Sequence, residues 1–346
     1  MNRTHLYDRV LGSLASACIG DALGAPAEQR SPAEIEQLWG GWLREFHAPP
    51  ADSPYAAGRR AAQITDDASQ MIALIDTYLA EPVALTARGV GNMLLRWSES
   101  EYYPRFAGPS TLRAVEGLRA GGDPETLGAA GRLATDGTSN GAAMRVAPAG
   151  LRHPGDIDAA VADTLTCCRP SHLTNIGVSG AAAVAAAVSA AVVPGATMLE
   201  VIAAARYGAR EGYRLGTAHG RDVAGPSVER RIELAVSAAL AADDFPGAVR
   251  AITDVTGSGL SISEAVPAAF GILVAADGDP FLTCVGGANA GDDTDTVACI
   301  AGSIAGALRG FSAVPRHLYD ELEAVNHLEL EHRAEAFTSL VLGAQA

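Results

Sequence analysis

The chain has 346 residues and a formal net charge of −15, and all 25 of its basic residues are arginine, since it contains no lysine. The missing lysine excludes pyridoxal enzymes, Schiff-base lysine enzymes and P-loop NTPases, which all depend on that side chain. The negative charge favours solubility and cation binding, and we expect neither nucleic acid nor a membrane as partner.

Small residues dominate the apolar content, because 48% of the chain is hydrophobic but only 5% is aromatic. A core of this kind requires close helix-to-helix packing. The length allows one large domain or two ordinary ones, and without a linker-like stretch we predict a single domain over residues 1–346. The five cysteines are odd in number and lack C-x-x-C spacing, so we expect reduced core residues in a cytoplasmic protein.

The first predicted helix covers residues 7–22, where Val10, Leu14, Cys18 and Asp21 recur three or four positions apart. A turn-rich break follows, and then a Pro- and Gly-rich segment, residues 40–58, without periodicity. This segment is predicted to be a long loop, a kind of segment that is often functional. Thr65 is predicted to cap the next helix.

Helical spacing of apolar residues continues to the end of the chain, with Gly and Pro between the periodic segments, and convincing alternating strands are absent. The sequence therefore predicts an all-α fold. The uncharged stretch 177–196 is long enough to span a membrane, but its Ala and Val composition favours a buried helix. The further predicted helices cover residues 85–98, 110–120, 156–168, 178–193, 198–215, 227–241, 246–254, 262–276, 294–309 and 315–342.

Two acidic clusters begin predicted helices. They are Thr65-Asp66-Asp67 and Asp292-Asp293-Thr294-Asp295-Thr296. The first could be an ordinary helix cap, with acids favoured by the helix dipole by roughly 0.3 to 1 kcal/mol each. In the second, three carboxylates within four residues repel one another unless a cation neutralises them. Carboxylate and hydroxyl oxygens are the ligands that Mg²⁺, Mn²⁺ and Ca²⁺ prefer. If the clusters meet in space, they could hold a pair of ions that activates water.

Three further features have both a structural and a functional interpretation. Asp21 could cap a helix and Glu28 could be a surface residue, but a carboxylate beside bound metals is also well suited as general acid or base. The Asn140-Gly141 turn could be purely structural or could cradle a phosphate or ribose. His172 is equally compatible with a hydrogen-bonded core histidine and with a ligand contact.

In this order, five segments resemble the ADP-ribosylglycohydrolase family: residues 20–28, 65–67, 140–145, 171–172 and 291–296. The resemblance implies a compact, orthogonal helical bundle with two divalent cations, Mg²⁺ (or Mn²⁺), in a central cleft. It also implies hydrolysis of the bond between the ribose anomeric carbon and an acceptor, with release of ADP-ribose. The partner would be an ADP-ribosylated protein or an ADP-ribose-containing small molecule.

The resemblance also implies roles for individual residues. The implied metal ligands are Thr65, Asp66, Asp67, Asp293, Asp295 and Thr296. The implied catalytic residues are Glu28, as acid or base, and Asp67, and Asp21 is implied to support the metal ligands. The implied substrate contacts are Asn140, Gly141, Ala142 and His172. Ala68 and Asp292 depart from the residues common in the family, Thr and Gly, but neither departure removes an implied ligand.

Other functions stay open at this point. A nucleosidase or small-molecule N-glycosidase could use the same scaffold, because a fold does not fix a substrate. A prenyl-transferring enzyme is disfavoured, because its D-D-x-x-D repeat is missing where Met71 follows Asp67. A non-enzymatic relative would be expected to lose Glu28 or the aspartates, which are all present. Nothing in the sequence identifies the acceptor as arginine, serine or a small molecule.

Overall fold

The protein, described over residues 1–344 by a computed structural model, is built from helices. Within these residues there is no strand, and the β-type pairing consists of three isolated bridges between loops. The predicted all-α class is therefore confirmed. Three short 3-10 turns occur at Ala25–Ala27, Leu127–Ala129 and Phe311–Ala313.

The helices are numbered in chain order. Those of the first half are α1 (Arg3–Gly24), α2 (Pro32–Trp39), α3 (Asp66–Ala80), α4 (Ala87–Trp97), α5 (Pro109–Arg119), α6 (Gly141–Met144), α7 (Ala147–Arg152) and α8 (Ile157–Cys168). Those of the second half are α9 (Asn175–Ala191), α10 (Met198–His219), α11 (Val228–Ala241), α12 (Phe245–Thr256), α13 (Ile262–Ala275), α14 (Pro280–Ala288), α15 (Thr294–Arg309), α16 (Arg316–Asn326) and α17 (Leu330–Ala344).

The structure differs from the predicted elements at short helices and at one long one. The sequence analysis did not predict α2, α6, α7 or α14. In α2 only Ile35 is buried, so an apolar stripe is missing, and α14 contains two adjacent Gly residues, which disfavour a helix. The helix predicted over residues 315–342 is two helices, because His327 adopts a left-handed conformation with φ 54° and ends α16.

Helix α1 lies in the core, and α15 packs antiparallel against it at very short range. A Cβ atom at Gly24 would lie 2.5 Å from Cα of Asp295, and one at Gly20 would lie 2.4 Å from the carbonyl oxygen of Ala298. The Thr294 hydroxyl donates to the Gly24 carbonyl at 2.9 Å. Glycine is therefore required where the two helices cross, and this contact places the start of α15 beside the end of α1.

The apolar helices are buried inside the fold. Helix α1 is long and apolar enough to cross a membrane, but its apolar window is wholly buried. The uncharged stretch considered in the sequence forms α9, in which every residue except Ala190 is buried, as predicted. The five cysteines are free and buried, which agrees with their predicted core positions.

Candidate active site

A cleft of about 420 Å³ lies where α3 and α15 begin. Its acidic lining residues are Glu28, Asp66, Asp67, Asp293 and Asp295. Asn140, Gly141 and Thr296 stand beside them, and the outer wall includes Tyr55, Arg105, Phe106, Leu112 and Leu260. The two acidic clusters, 225 or more positions apart in sequence, therefore meet at one place in the fold.

Asp21 of α1 fixes the start of α3. Its carboxylate accepts hydrogen bonds from the backbone N–H of Thr65 at 3.0 Å and of Ala68 at 2.9 Å, and from the Thr65 hydroxyl at 2.8 Å. It satisfies helix N–H groups that lack an intrahelical partner. Asp66 and Asp67 thus stay available to the cleft. Thr65 itself is fully buried, and its binding of a metal stays a prediction.

Only some of the polar residues at the start of α15 line the cleft. Asp293 occupies the N-cap position, yet its side chain makes no capping hydrogen bond. Asp295 and Thr296 also line the cleft. In contrast, Asp292 adopts a left-handed conformation with φ 59°, and Thr294 bonds to α1. Asp292 and Thr294 therefore lie outside the cleft lining.

Glu28 is held against this loop by backbone pairing. The N–H of Gln29 donates to the Asp292 carbonyl at 2.7 Å, and the N–H of Asp292 donates to the Arg30 carbonyl at 2.9 Å. As a result, carboxylate oxygens of Glu28, Asp293 and Asp295 lie within 4.8 Å of one another. This distance is compatible with Glu28 as a metal ligand as well as with its predicted acid or base role.

The buried carboxylates destabilise one another's charged forms. Burial, followed by neighbouring carboxylates, raises the pKa of Asp66, Asp67, Asp295 and Glu28 well above the usual range. Burial also raises the pKa of Asp21 to about 6, although its hydrogen bonds from Thr65 and Ala68 oppose the shift.

The donor set of the cleft fits divalent cations. The Oδ1 atom of Asp67 is buried and has no hydrogen-bond partner among the described residues. An unpartnered buried oxygen within a group of mutually repelling carboxylates is what a bound cation would stabilise. Because the donors are carboxylate and hydroxyl oxygens, the set suits Mg²⁺ or Mn²⁺ better than zinc.

The residues of the predicted substrate turn occupy different depths. The Asn140 amide donates to Oδ2 of Asp293 at 2.7 Å, and Gly141 lines the cleft. Ala142 and His172 lie behind the turn and are buried. The two ring nitrogens of His172 are within 3.0 Å of Ser139 Oγ and 2.8 Å of Ser171 Oγ. Burial lowers the pKa of His172 well below its usual value, so the ring is neutral. Ligand contacts of Ala142 and His172 stay predictions.

Some residues of the site were not identified from the sequence. Gln70 and Arg145 are buried polar residues beneath the cleft, connected by a hydrogen bond of 2.9 Å. The sequence did contain a signal, because Gln70 follows Asp66 by one helical turn and Arg145 closely follows the Asn140 turn. Tyr55, on the cleft wall, belongs to the loop predicted over residues 40–58.

Comparisons with known proteins agree with this geometry. The sequence matches the model of the ADP-ribosylglycohydrolase family over residues 2–345. It is 30% identical to the uncharacterised protein YegU of Escherichia coli K12, over 95% of this chain and 96% of that protein. It is 26% identical to the ADP-ribosylarginine hydrolase Tri1 of Pseudomonas putida, over 93% of this chain and 76% of that protein.

The fold also matches a solved structure. A chain of an ADP-ribosylglycohydrolase-related protein complex superposes with a TM-score of 0.70 at 23% sequence identity, covering 98% of this chain and 99% of that chain. At this identity the likeness concerns the fold. Because the family match extends over nearly the whole chain, and a relative 30% identical is covered almost completely, the chain belongs to the ADP-ribosylglycohydrolase family, a family of hydrolases that act on glycosidic bonds.

Proposed function

We propose that residues 1–346 form one domain that hydrolyses the bond between the ribose anomeric carbon and the acceptor of an ADP-ribosylated substrate. The products are free ADP-ribose and the free acceptor, which belongs to a protein or to a small molecule. The observation that supports this most directly is the meeting of both acidic clusters with Glu28 and Asn140 in one cleft. The name of the Pseudomonas putida relative supports an ADP-ribosyl substrate.

The residues proposed to hold two divalent cations, Mg²⁺ or Mn²⁺, are Thr65, Asp66, Asp67, Asp293, Asp295 and Thr296. Support comes from the unpartnered Oδ1 atom of Asp67 and from the raised pKa values of the neighbouring carboxyl groups. Divalent cations bound there supply positive charge that orients the ribose hydroxyl groups and a water molecule.

The proton transfers of the reaction are assigned to side chains of the protein. Glu28 accepts a proton from water as the water oxygen bonds to the anomeric carbon, and the bond to the acceptor breaks. The same proton then passes from Glu28 to the leaving group. Burial is the main cause that raises the pKa of the Glu28 carboxyl, which makes it a stronger proton acceptor than an exposed glutamate. Asp67 is the second candidate proton acceptor, and the backbone of the Asn140-Gly141 turn is proposed to bind the ADP-ribose moiety.

A substrate screen tests the proposal. The purified protein, supplied with MgCl₂ or MnCl₂, is incubated with ADP-ribosyl-arginine, ADP-ribosyl-serine, O-acetyl-ADP-ribose and common nucleosides, and the products are separated by chromatography. We expect free ADP-ribose from at least one ADP-ribosylated substrate. Release of free base or ribose from nucleosides, without any ADP-ribose from the other substrates, would replace the proposal with a nucleosidase.

The substitution Glu28→Gln separates the two roles that its position allows. If Glu28 transfers the proton, turnover falls by about 10² to 10⁴-fold while cation affinity is retained. If it is mainly a ligand, both quantities fall together. Glu34→Gln is the matched control, because Glu34 is an exposed residue of the α2 capping box. Full activity of the Glu28→Gln protein would contradict the proposed role.

A further inference from the structure

Arg145 is a buried cation that takes no part in the proposed reaction. It follows α6 beneath the cleft, its side chain is 1% exposed, and it forms no ion pair within residues 1–344. Its guanidinium donates instead to two neutral side chains, those of Gln70 and Ser171. Burying a charge without a paired carboxylate is costly, so these two hydrogen bonds must compensate for the missing ion pair.

One arm of the network reaches the first acidic cluster. Arg145 donates to Oε1 of Gln70 at 2.9 Å, and Nε2 of Gln70 donates to Oδ2 of Asp66 at 3.3 Å. A guanidinium has no acceptor, so it fixes which end of the amide faces it. Gln70 must then present its NH₂ group to Asp66. One oxygen of Asp66 is thereby occupied, and the side chain is held in a defined orientation toward the cleft.

The other arm reaches the substrate turn. Arg145 donates to Ser171 Oγ at 2.6 Å, which lies 2.8 Å from Nδ1 of His172. The Ser139 hydroxyl donates its single proton to Ser110 Oγ at 3.0 Å, so at its contact of 3.0 Å with Nε2 of His172 it can only accept. The single proton of the neutral imidazole is then on Nε2. Nδ1 is left as an acceptor for the Ser171 hydroxyl, so the whole arm has one direction.

The two arms form one continuous chain of contacts beneath the cleft. Ser139 precedes Asn140, whose amide donates to Asp293 of the second acidic cluster at 2.7 Å. This chain joins Asp66, the substrate turn and Asp293 through residues that are at least nine-tenths buried. Such a network has few alternative arrangements, so a shift at one end changes the geometry at the other.

We propose that Arg145 is a positioning residue that, through Gln70 and Ser171, couples cation binding at the acidic clusters to ADP-ribose binding at the Ser139-Asn140 turn. The choice of ADP-ribose as the second ligand rests on the proposed function. The coupling is reciprocal, because a cation that strengthens ADP-ribose binding is itself bound more tightly in the presence of ADP-ribose.

Two variants each interrupt one arm and leave Arg145 in place. Gln70→Met removes the bonds to Asp66, and Ser171→Ala removes the bonds to His172. Calorimetric titrations measure the dissociation constants of MnCl₂ alone and of ADP-ribose with and without MnCl₂. Ser179→Ala is the matched control, because Ser179 is a buried serine that donates one hydrogen bond to the Ala209 carbonyl, away from the cleft lining.

We expect Gln70→Met to weaken Mn²⁺ binding about 10-fold, as loss of an outer-shell partner does, with ADP-ribose binding to the metal-free protein within about twofold of wild type. We expect Ser171→Ala to weaken ADP-ribose binding and to leave Mn²⁺ binding to the ligand-free protein within about twofold. In both variants the factor by which Mn²⁺ strengthens ADP-ribose binding falls, and in Ser179→Ala it does not. An unchanged factor in both arm variants would overturn the proposal.

A second measurement needs neither substrate nor catalysis. In protein labelled with ¹⁵N at histidine, nuclear magnetic resonance reports which ring nitrogen of His172 holds the proton. We expect Nε2 in the wild type and in Ser171→Thr, which keeps the hydroxyl group. A proton on Nδ1 would overturn the proposed direction of the arm. If the wild type binds Mn²⁺ but not ADP-ribose, the proposed function fails, while the Gln70→Met and His172 results still test the network.

Discussion

Helices α8 and α15 begin with the same Asp-x-Asp spacing, but their carboxylates have different surroundings. In α8, Asp156 caps the helix by accepting from the Ala159 N–H at 3.1 Å, and Asp158 accepts from the Tyr207 hydroxyl at 2.6 Å. Both are exposed. In α15, Asp293 makes no capping bond and, like Asp295, is buried. The same spacing therefore begins an ordinary capped helix in α8 and a buried acidic group in the cleft in α15, and burial is the difference between them.

The largest expected difference between the two helix starts is in activity. We expect Asp295→Ala to lower kcat/KM by about 10³-fold or more, beyond the 10- to 100-fold typical of losing an outer-shell partner. Asp158→Ala, at the equivalent position of α8, is expected to change kcat/KM by less than about twofold. Circular dichroism checks that both variants fold. Equal effects of the two substitutions would remove the functional distinction between the helices.

Substitutions of Asp295 and Asp158 should also differ in how much a bound cation stabilises the folded protein. A cation present at about 100 times its dissociation constant stabilises the folded protein by about 2.7 kcal/mol. We expect MnCl₂ to raise the free energy of unfolding of the wild type and of Asp158→Ala, measured by urea titration against a chelator-treated sample. Asp295→Ala should show little of this increase. A similar increase in all three proteins would place the bound cation elsewhere.

Without a cation, the buried carboxylates should destabilise the folded protein. Because burial raises the folded-state pKa of Asp295 well above its usual 3.8, its contribution to stability is lost as the pH rises through 3.8 toward that raised pKa. In excess chelator at pH 7 we therefore expect Asp295→Asn to be more stable than wild type by about 1 to 2 kcal/mol. The difference should shrink toward pH 4. A less stable variant at pH 7 would contradict this account.

The smallest effect is expected at Asp156, the N-cap residue of α8. Asp156→Ala removes the hydrogen bond to Ala159 and should lower the free energy of unfolding by about 1 kcal/mol. Turnover and the stabilisation by MnCl₂ should match wild type, because Asp156 is exposed and lies outside the cleft lining. A large loss of activity in this variant would show that the surface helix start also contributes to function.

Local patterns explain what the sequence predicted correctly. Helical spacing of apolar residues was sufficient for the all-α class and for most long helices. Crowded carboxylates at residues 292–296 indicated a cation from repulsion alone, which is a property of neighbouring residues. Of the helices that were missed, α2 has a capping box, Ser31 with Glu34, but no apolar stripe, and α14 forms despite two adjacent glycines because it packs in the core.

The parts of the site that the sequence did not predict depend on contacts between distant parts of the chain. Glu28 approaches Asp293 because glycines in α1 allow α15 to pack against it, a contact that spacing within either segment does not reveal. The position of His172 behind the turn, rather than in the cleft lining, is set by Ser139 and Ser171. Its two interpretations could not be separated from the sequence, because both require the same residue at the same position.

The most direct test of a cation-assisted ADP-ribosyl hydrolase is release of free ADP-ribose from an ADP-ribosylated arginine peptide, alongside the serine peptide and O-acetyl-ADP-ribose. The protein is stripped of metal with chelator and assayed before and after addition of MgCl₂ or MnCl₂, with Asp295→Ala in parallel. We predict release from at least one substrate by the wild type only after the cation is added, and almost none by Asp295→Ala. Equal release with chelator and with cation, or equal release by the variant, would contradict the account.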